Sequence, residues 1–162
     1  MSSDTTAAPT TLPATSSGAS PLTGRAAVAA IYEAFGRGDV PTFLSLLADD
    51  VSWDADWADN WGQRTRLDHF TPRRGRAGVA EFLATLAAGY TVHDVQVLDL
   101  ASSDRQVVAQ VVIDLELPNG GRLRDEELHL WTFGPDGRVR ALRHYVDTAK
   151  HLAAGRGVDT TR

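Results

Sequence analysis

Residues 106–133 read QVVAQVVIDLELPNGGRLRDEELHLWTF, and the punctuation of that stretch decides the fold. Two strand-like runs, Gln106 to Leu117 and Leu123 to Phe133, flank Pro118-Asn119-Gly120-Gly121. Asn-Gly adopts the positive φ angles of a tight hairpin, so the two runs are predicted to pair antiparallel. Pro135-Asp136-Gly137 is a second turn leading into Val139 to Asp147, and an earlier run spans Val92 to Ala101. Four such runs in succession make a meander.

Upstream, the apolar period is helical. Ala27, Val28, Ile31, Ala34 and Phe35 form one stripe, ended by Gly36 and Gly38. Asp39 is placed to cap a second helix through Phe43, Leu44, Leu46 and Leu47, closed by Asp49-Asp50. Val51-Ser52-Trp53 reads as a short strand, and residues 54–73 as a polar connection dotted with Trp57, Trp61, His69 and Phe70. A stretch of that length without periodicity points to a lid, a binding loop or an irregular crossover. Gly75 to Gly89 is helical again, with Val79, Phe82, Leu83 and Leu86 on one face, and Thr148 to Ala154 is a short closing helix capped by Asp147. About three helices followed by a meander predict an α+β domain, with a curved antiparallel sheet wrapped over the helices around a conical cavity.

Composition narrows the chemistry. The chain has 162 residues, enough for one domain, a net charge of −5 and no cysteine. Disulfides, thiol catalysis, Cys-ligated zinc and iron–sulfur clusters are thereby excluded. Lys150 is the only lysine, so Schiff-base chemistry has one poorly placed candidate. The acidic balance gives no reason to expect nucleic acid, and no apolar run is long enough to span a membrane. Residues 1–24 are Ser, Thr, Ala and Pro rich and predict a disordered tail without the features of a secretory signal, hence a cytoplasmic protein. Residues 25–155 form the expected folding unit and 156–162 a flexible end. The five histidines, 69, 93, 129, 144 and 151, lack metal-ligand spacing, so no metal or other cofactor is expected.

Several strings resemble the SnoaL-like polyketide cyclases, within the superfamily of nuclear transport factor two and ketosteroid isomerase. They are Ile31-Tyr-Glu-Ala-Phe-Gly-Arg-Gly-Asp39, Leu46-Leu-Ala-Asp-Asp-Val-Ser-Trp53, Arg74 to Phe82, Trp131 to Val139 and Arg143-His-Tyr-Val-Asp-Thr-Ala149. The resemblance implies the cone-shaped fold and a small-molecule substrate. Counted from the Asp136-Gly137-Arg138 turn, the catalytic aspartate of SnoaL-type cyclases falls on His144, and an oxyanion-site acid of ketosteroid isomerases on His129. The isomerase base and the water-orienting asparagine of limonene epoxide hydrolase both fall on Ala55; the hydrolase's Arg-x-Asp pair falls on Val112 and Asp114. Scytalone dehydratase, with paired pocket histidines and tyrosines, is similar in its residue set.

The residues carry a reading of their own. His144 shares a strand face with Leu142 and Val146, and His129 with Glu127, Trp131 and Phe133. Each is either a satisfied core histidine or a proton-transfer group, and the resemblance favours the second. Tyr32 is either core or a catalytic partner. Asp114 either faces outward or orients a pocket histidine. Asp54 and Asp56 flank Ala55 and would point elsewhere on a regular strand. The expected catalytic set is therefore His144, His129 and Asp114, with Tyr32, Trp53, Trp57, Phe82, Trp131 and Leu142 around the substrate. The expected activity is cofactor-free cyclisation, isomerisation or dehydration of a polyketide-like or polycyclic molecule; epoxide opening and non-catalytic ligand binding are the alternatives. Leu128 and Leu130 oppose Trp131 and Phe133 across their strand, so the outer face is a candidate homodimer interface.

Overall fold

A computed structural model describes residues 24–65 and 67–162. The tail expected to be disordered lies outside the described residues except for Gly24. The first helix, α1 (Gly24–Gly36), buries Ala27, Val28, Ile31 and Ala34, the stripe its spacing predicts. Asp39 caps α2 (Val40–Ser45) by accepting a hydrogen bond from the Thr42 backbone N–H at 3.1 Å. The third helix, α3 (Gly75–Gly89), buries Val79, Phe82 and Leu83, and α4 (Thr148–Ala154) is capped by Asp147.

Six strands form one sheet: β1 (Leu47–Trp53), β2 (Arg73–Arg74), β3 (Thr91–Ser102), β4 (Gln106–Glu116), β5 (Arg122–Phe133) and β6 (Val139–Tyr145). Their order is β2-β1-β6-β5-β4-β3. The meander pairs antiparallel as the turns predict, whereas β1 joins β6 in parallel, with Trp53 opposite Leu142. Register shifts in β3 and between Thr132 and Phe133 mark bulges, which curve a sheet.

Three boundaries differ from the sequence reading by more than one residue. The helix predicted through Leu47 stops at Ser45, because Leu47 is fully buried as the first residue of β1, paired with Val139. Asp49-Asp50 accordingly lies within a strand and does not close a helix. The last strand ends at Tyr145, which frees Asp147 to cap α4. Within 54–73, two short 3-10 turns (Trp61–Arg64 and Asp68–Phe70) give the connection local order. Among the described residues no helix is long and apolar enough to cross a membrane.

Period two governs β5. Leu123, Asp125, Glu127, His129, Trp131 and Phe133 are all buried, whereas Arg124, Glu126 and Leu128 are exposed. Gly121, at the β4–β5 turn, passes so close to α4 that a Cβ there would sit 1.8 Å from the Ala154 carbonyl oxygen. The hairpin is thus locked against the closing helix, and with it the face that carries Glu127 and His129.

Candidate active site

The concave side of the sheet and helices α1 and α3 enclose a cavity with about 910 Å³ of atom-free space, its open mouth included. Ile31, Phe35, Phe43, Phe82 and Leu142 contribute apolar wall. A second hollow, bordered by Gly36, Asp39 and His93, adjoins it and shares Tyr32, Phe35, Leu86 and Tyr90, which places the opening between the ends of α1 and α3 and the start of β3.

Two imidazoles stand side by side in the wall. His129 and His144 are direct cross-strand partners on β5 and β6, with ring centroids 4.4 Å apart and planes near perpendicular at 87°. His144 Nδ1 lies 2.5 Å from Asp54 Oδ2, and its backbone N–H donates to Asp54 Oδ1 at 2.9 Å. The Trp57 indole N–H donates to the same Oδ1 at 3.2 Å. An ionised carboxylate only accepts, so the ring proton of His144 sits on Nδ1 and Nε2 is the nitrogen left for chemistry. Burial disfavours both charges, but the pairing prevails: His144 titrates above an ordinary histidine and Asp54 below an ordinary carboxylate.

His129 is held at both nitrogens. Glu127 Oε2 lies 2.8 Å from its Nε2 and the Tyr32 hydroxyl 2.6 Å from its Nδ1. Glu127 can only accept, so His129 donates from Nε2 and Tyr32 donates into Nδ1. Burial, then the charge of His144, pushes the His129 pKa down despite Glu127. Burial opposes ionisation of Glu127 as well, but hydrogen bonds from His129 and His151 hold its carboxyl well below the usual range. Burial raises the Tyr32 phenol; the Trp131 indole N–H lies close enough to favour its ionised form without closing a hydrogen bond. The outcome is one imidazole disposed to carry charge beside one disposed to stay neutral, the separation of roles that acid–base catalysis needs.

The indole N–H groups of Trp53 and Trp131 are buried without a partner among the described residues. Buried donors of this kind are rare, and both belong to residues that line the cavity. On the far wall, Asp125, Glu127 and His151 bring ligand-type atoms within 4.8 Å of one another. Their charge is already met: Lys150 Nζ is 3.2 Å from Asp125 Oδ1, and His151 Nε2 is 3.1 Å from Glu127 Oε1 and 3.5 Å from Asp125 Oδ2.

Of the residues expected from sequence, His129, His144, Tyr32, Trp53, Phe82, Trp131 and Leu142 all line the cavity. Trp57 does not; it packs at a tilt against Tyr145, centroids 4.8 Å apart, beneath the Arg143 guanidinium and reaches the site only by its hydrogen bond to Asp54. Asp114 does not either. It occupies an even position of β4, opposite the face of Val107, Ala109 and Val111, and its Oδ1 takes Arg122 at 2.9 and 3.0 Å while Arg124 stands 3.6 Å from Oδ2. It orients no pocket histidine, and the epoxide-opening alternative loses its carboxylate. The carboxylate that does the orienting is Asp54, which the sequence reading pointed away on a regular strand. The strand ends at Trp53, and Asp54 takes a left-handed φ of 52°, a conformation aspartate tolerates, that turns it toward His144. Sequence reasoning also missed His69, Tyr90 and His151 as lining residues.

Comparison with known proteins agrees with the fold. Residues 28–142 match the SnoaL-like domain family. No curated protein sequence matches the chain. Among solved structures, TerC co-crystallised with polyporic acid is 22% identical with a TM-score of 0.63, covering 80% of this chain and 95% of its own. A candidate polyketide cyclase from Xanthomonas campestris is 23% identical with a TM-score of 0.60, covering 79% and 93%. Rv0760c from Mycobacterium tuberculosis, in complex with estradiol-17β-hemisuccinate, is 17% identical with a TM-score of 0.61, covering 76% and 93%. At such identities the structural likeness speaks for the fold alone, and the family match spans most of the chain: this protein belongs to the SnoaL-like domain family.

Proposed function

We propose that the chain is a cofactor-free acid–base enzyme, a cyclase, isomerase or dehydratase, acting on a polyketide-like or other polycyclic, enolisable small molecule. The observation that carries this reading is the adjacent pair of imidazoles, His144 partly buried and paired with Asp54, His129 buried and paired with Glu127 and Tyr32, in a largely apolar cavity. His144 Nε2 exchanges a proton with the substrate. The Tyr32 hydroxyl, turning its one proton from His129 Nδ1 to the substrate, donates to the oxygen on which charge develops. Asp54 takes the orienting role first expected of Asp114. The flat or polycyclic ligands named for TerC and Rv0760c support the same substrate class here.

A nitro-substituted benzisoxazole tests the base directly. One carbon-bound proton passes to His144 Nε2, the ring N–O bond breaks, and a coloured cyanophenolate forms. His144→Gln is expected to slow this at least about a hundredfold, and polyporic acid to inhibit it while quenching tryptophan fluorescence. Equal rates with and without the imidazole would overturn the assignment.

We also infer a homodimer through the outer sheet face, where Leu128 and Tyr145, cross-strand neighbours, are 46% and 43% exposed. Light scattering at micromolar concentration should give twice the chain mass, and Leu128→Glu half of that; a monodisperse monomer refutes it.

A further inference from the structure

A row of hydrogen bonds continues from the imidazole pair along the cavity wall. Beyond Tyr32, His129 and Glu127, the second carboxylate oxygen of Glu127 accepts from His151 Nε2 at 3.1 Å. His151 Nδ1 lies 2.9 Å from His69 Nε2, and His69 Nδ1 lies 3.1 Å from the Tyr90 hydroxyl. The catalytic reading uses none of His151, His69 or Tyr90. Tyr90 is half-buried and borders both the cavity and the outer hollow, so the row ends at the opening.

The donors and acceptors sort into two patterns. Glu127 only accepts, so His151 donates to it from Nε2 in either case. His69 stays neutral, because burial and then the positive charge of His151 push its pKa down to about 3. Its single ring proton has two possible seats. On Nδ1 it donates to the Tyr90 oxygen, and Nε2 accepts from a doubly protonated His151. On Nε2 it donates to a neutral His151, and Nδ1 accepts from the Tyr90 hydroxyl. Both patterns satisfy every atom of the row, and they differ by one proton.

We propose that His151, His69 and Tyr90 form a proton line by which the buried Glu127 cluster exchanges a proton with water at the cavity mouth, releasing one when His129 becomes charged. Only the last clause rests on the proposed reading in which His129 backs Tyr32 at the substrate oxygen. In the outward direction the Tyr90 hydroxyl proton passes to water, the His69 Nδ1 proton passes to the Tyr90 oxygen, and the His151 Nδ1 proton passes to His69 Nε2. One proton leaves, every oxygen and nitrogen keeps its heavy-atom bonds, and the reverse sequence restores the start. No proton crosses Glu127. Charge couples the two sides instead. Lys150 neutralises Asp125, and one imidazolium neutralises Glu127. A second imidazolium at His129 would add unpaired buried charge beside His144, a cost that discharge of His151 removes.

The groups around the line are few. His151 faces Asp125 and Glu127 from β5, His69 from the 3-10 turn, and Lys150 on its own helix through Asp125. The charge of His144 opposes that of His151, and Asp68 acts on Tyr90. Asp125 and Glu127 outweigh burial and raise the His151 pKa.

Ring-nitrogen NMR of the full chain carrying isotope-labelled histidine tests the line. As pH rises, His151 should lose one proton and, at the same midpoint, the ring proton of His69 should move from Nδ1 to Nε2. Tyr90→Phe takes one hydrogen bond from each pattern and removes the exit to water, so the shared midpoint should move little while exchange of the His69 ring proton with solvent slows. A His69 that keeps one tautomer while His151 titrates overturns the proposal, as does a His151 that never titrates over the range in which the fold survives. Should Tyr90→Phe fail to fold, the unaltered chain still decides. The benzisoxazole assay reports separately: equal rates with and without the His144 imidazole, together with a tautomer switch, overturn the enzyme reading and leave the line standing.

Discussion

His144 and His69 are both imidazoles in the wall of one cavity, yet their protonation is driven in opposite directions. His144 has a carboxylate of its own at 2.5 Å and is raised; His69 has only a tyrosine and another histidine and falls to about 3. Burial acts on both in the same sense, so the difference lies entirely in what the polypeptide places opposite the ring. Asp54 comes to His144 from a left-handed turn. Glu127, whose charge does most to favour protonation of His69, is already shared by His129 and His151. One site is a dyad with a spare nitrogen, the other a filled row with none.

The sharpest way to break the comparison is to take the shared carboxylate out of the row. Glu127→Gln leaves the shape but turns an N–H donor toward one of two imidazoles that already donate. Breaking a buried charged pair costs about 3–5 kcal/mol. Urea unfolding at neutral pH should show that loss as a lower midpoint with an unchanged slope. His144, held by Asp54, should keep its raised pKa in the variant.

Acid offers a second, somewhat smaller test, because His69 and His144 respond to it with opposite signs. Unfolded histidine takes up a proton near pH 6.5, whereas native His69 resists until about 3. Between those values the unfolded chain binds more protons at this position, so stability falls as pH drops, by up to about 1.4 kcal/mol per pH unit. His69→Gln should flatten that part of the stability profile. No flattening at pH 5 would mean that His69 titrates normally.

Native His144 binds its proton more tightly than the unfolded chain does. Its contribution is full below about pH 6.5 and is lost as pH rises through the raised native value. Asp54→Asn removes the cause, leaving burial to lower the pKa. The expected change is about 1 kcal/mol less stability below pH 6, with the His144 ring-nitrogen titration moved below 6.5.

How much of this was legible in the chain depends on period. The meander, its two hairpin turns and the inward face of β5 follow from alternation, which is why the sequence alone sets His129, Trp131 and Glu127 on one face. Asp54 was hidden because period two holds only while a strand lasts, and Asp54 is the first residue past the end of β1. His69 and His151 come from a 3-10 turn and a seven-residue helix separated by most of the sheet. Nothing local marks such a meeting, since it is made by the closure of the fold. Leu47 was misplaced for a related reason: its spacing continues the helical stripe, but its partner is Val139 on a strand not yet formed when the stripe is read.

Asp114 provides the control with the smallest expected effect. Alternation allowed it either face, and β4 turns it outward to Arg122 and Arg124, with a side chain only 14% exposed. Were it coupled to the cavity, Asp114→Asn would shift the titration of His129 or His144. The geometry instead isolates it behind the sheet, where exchange of a carboxylate for an amide weakens two ion pairs with partly exposed arginines. Such pairs are worth under about 1 kcal/mol. The variant should therefore lose a few tenths of a kcal/mol, roughly the value of a surface pair, in a salt-dependent manner, and leave both imidazoles titrating as before. A shift in either histidine would show that the outer face communicates with the site, and the separation between the dyad and the rest of the molecule's carboxylates would then have to be abandoned.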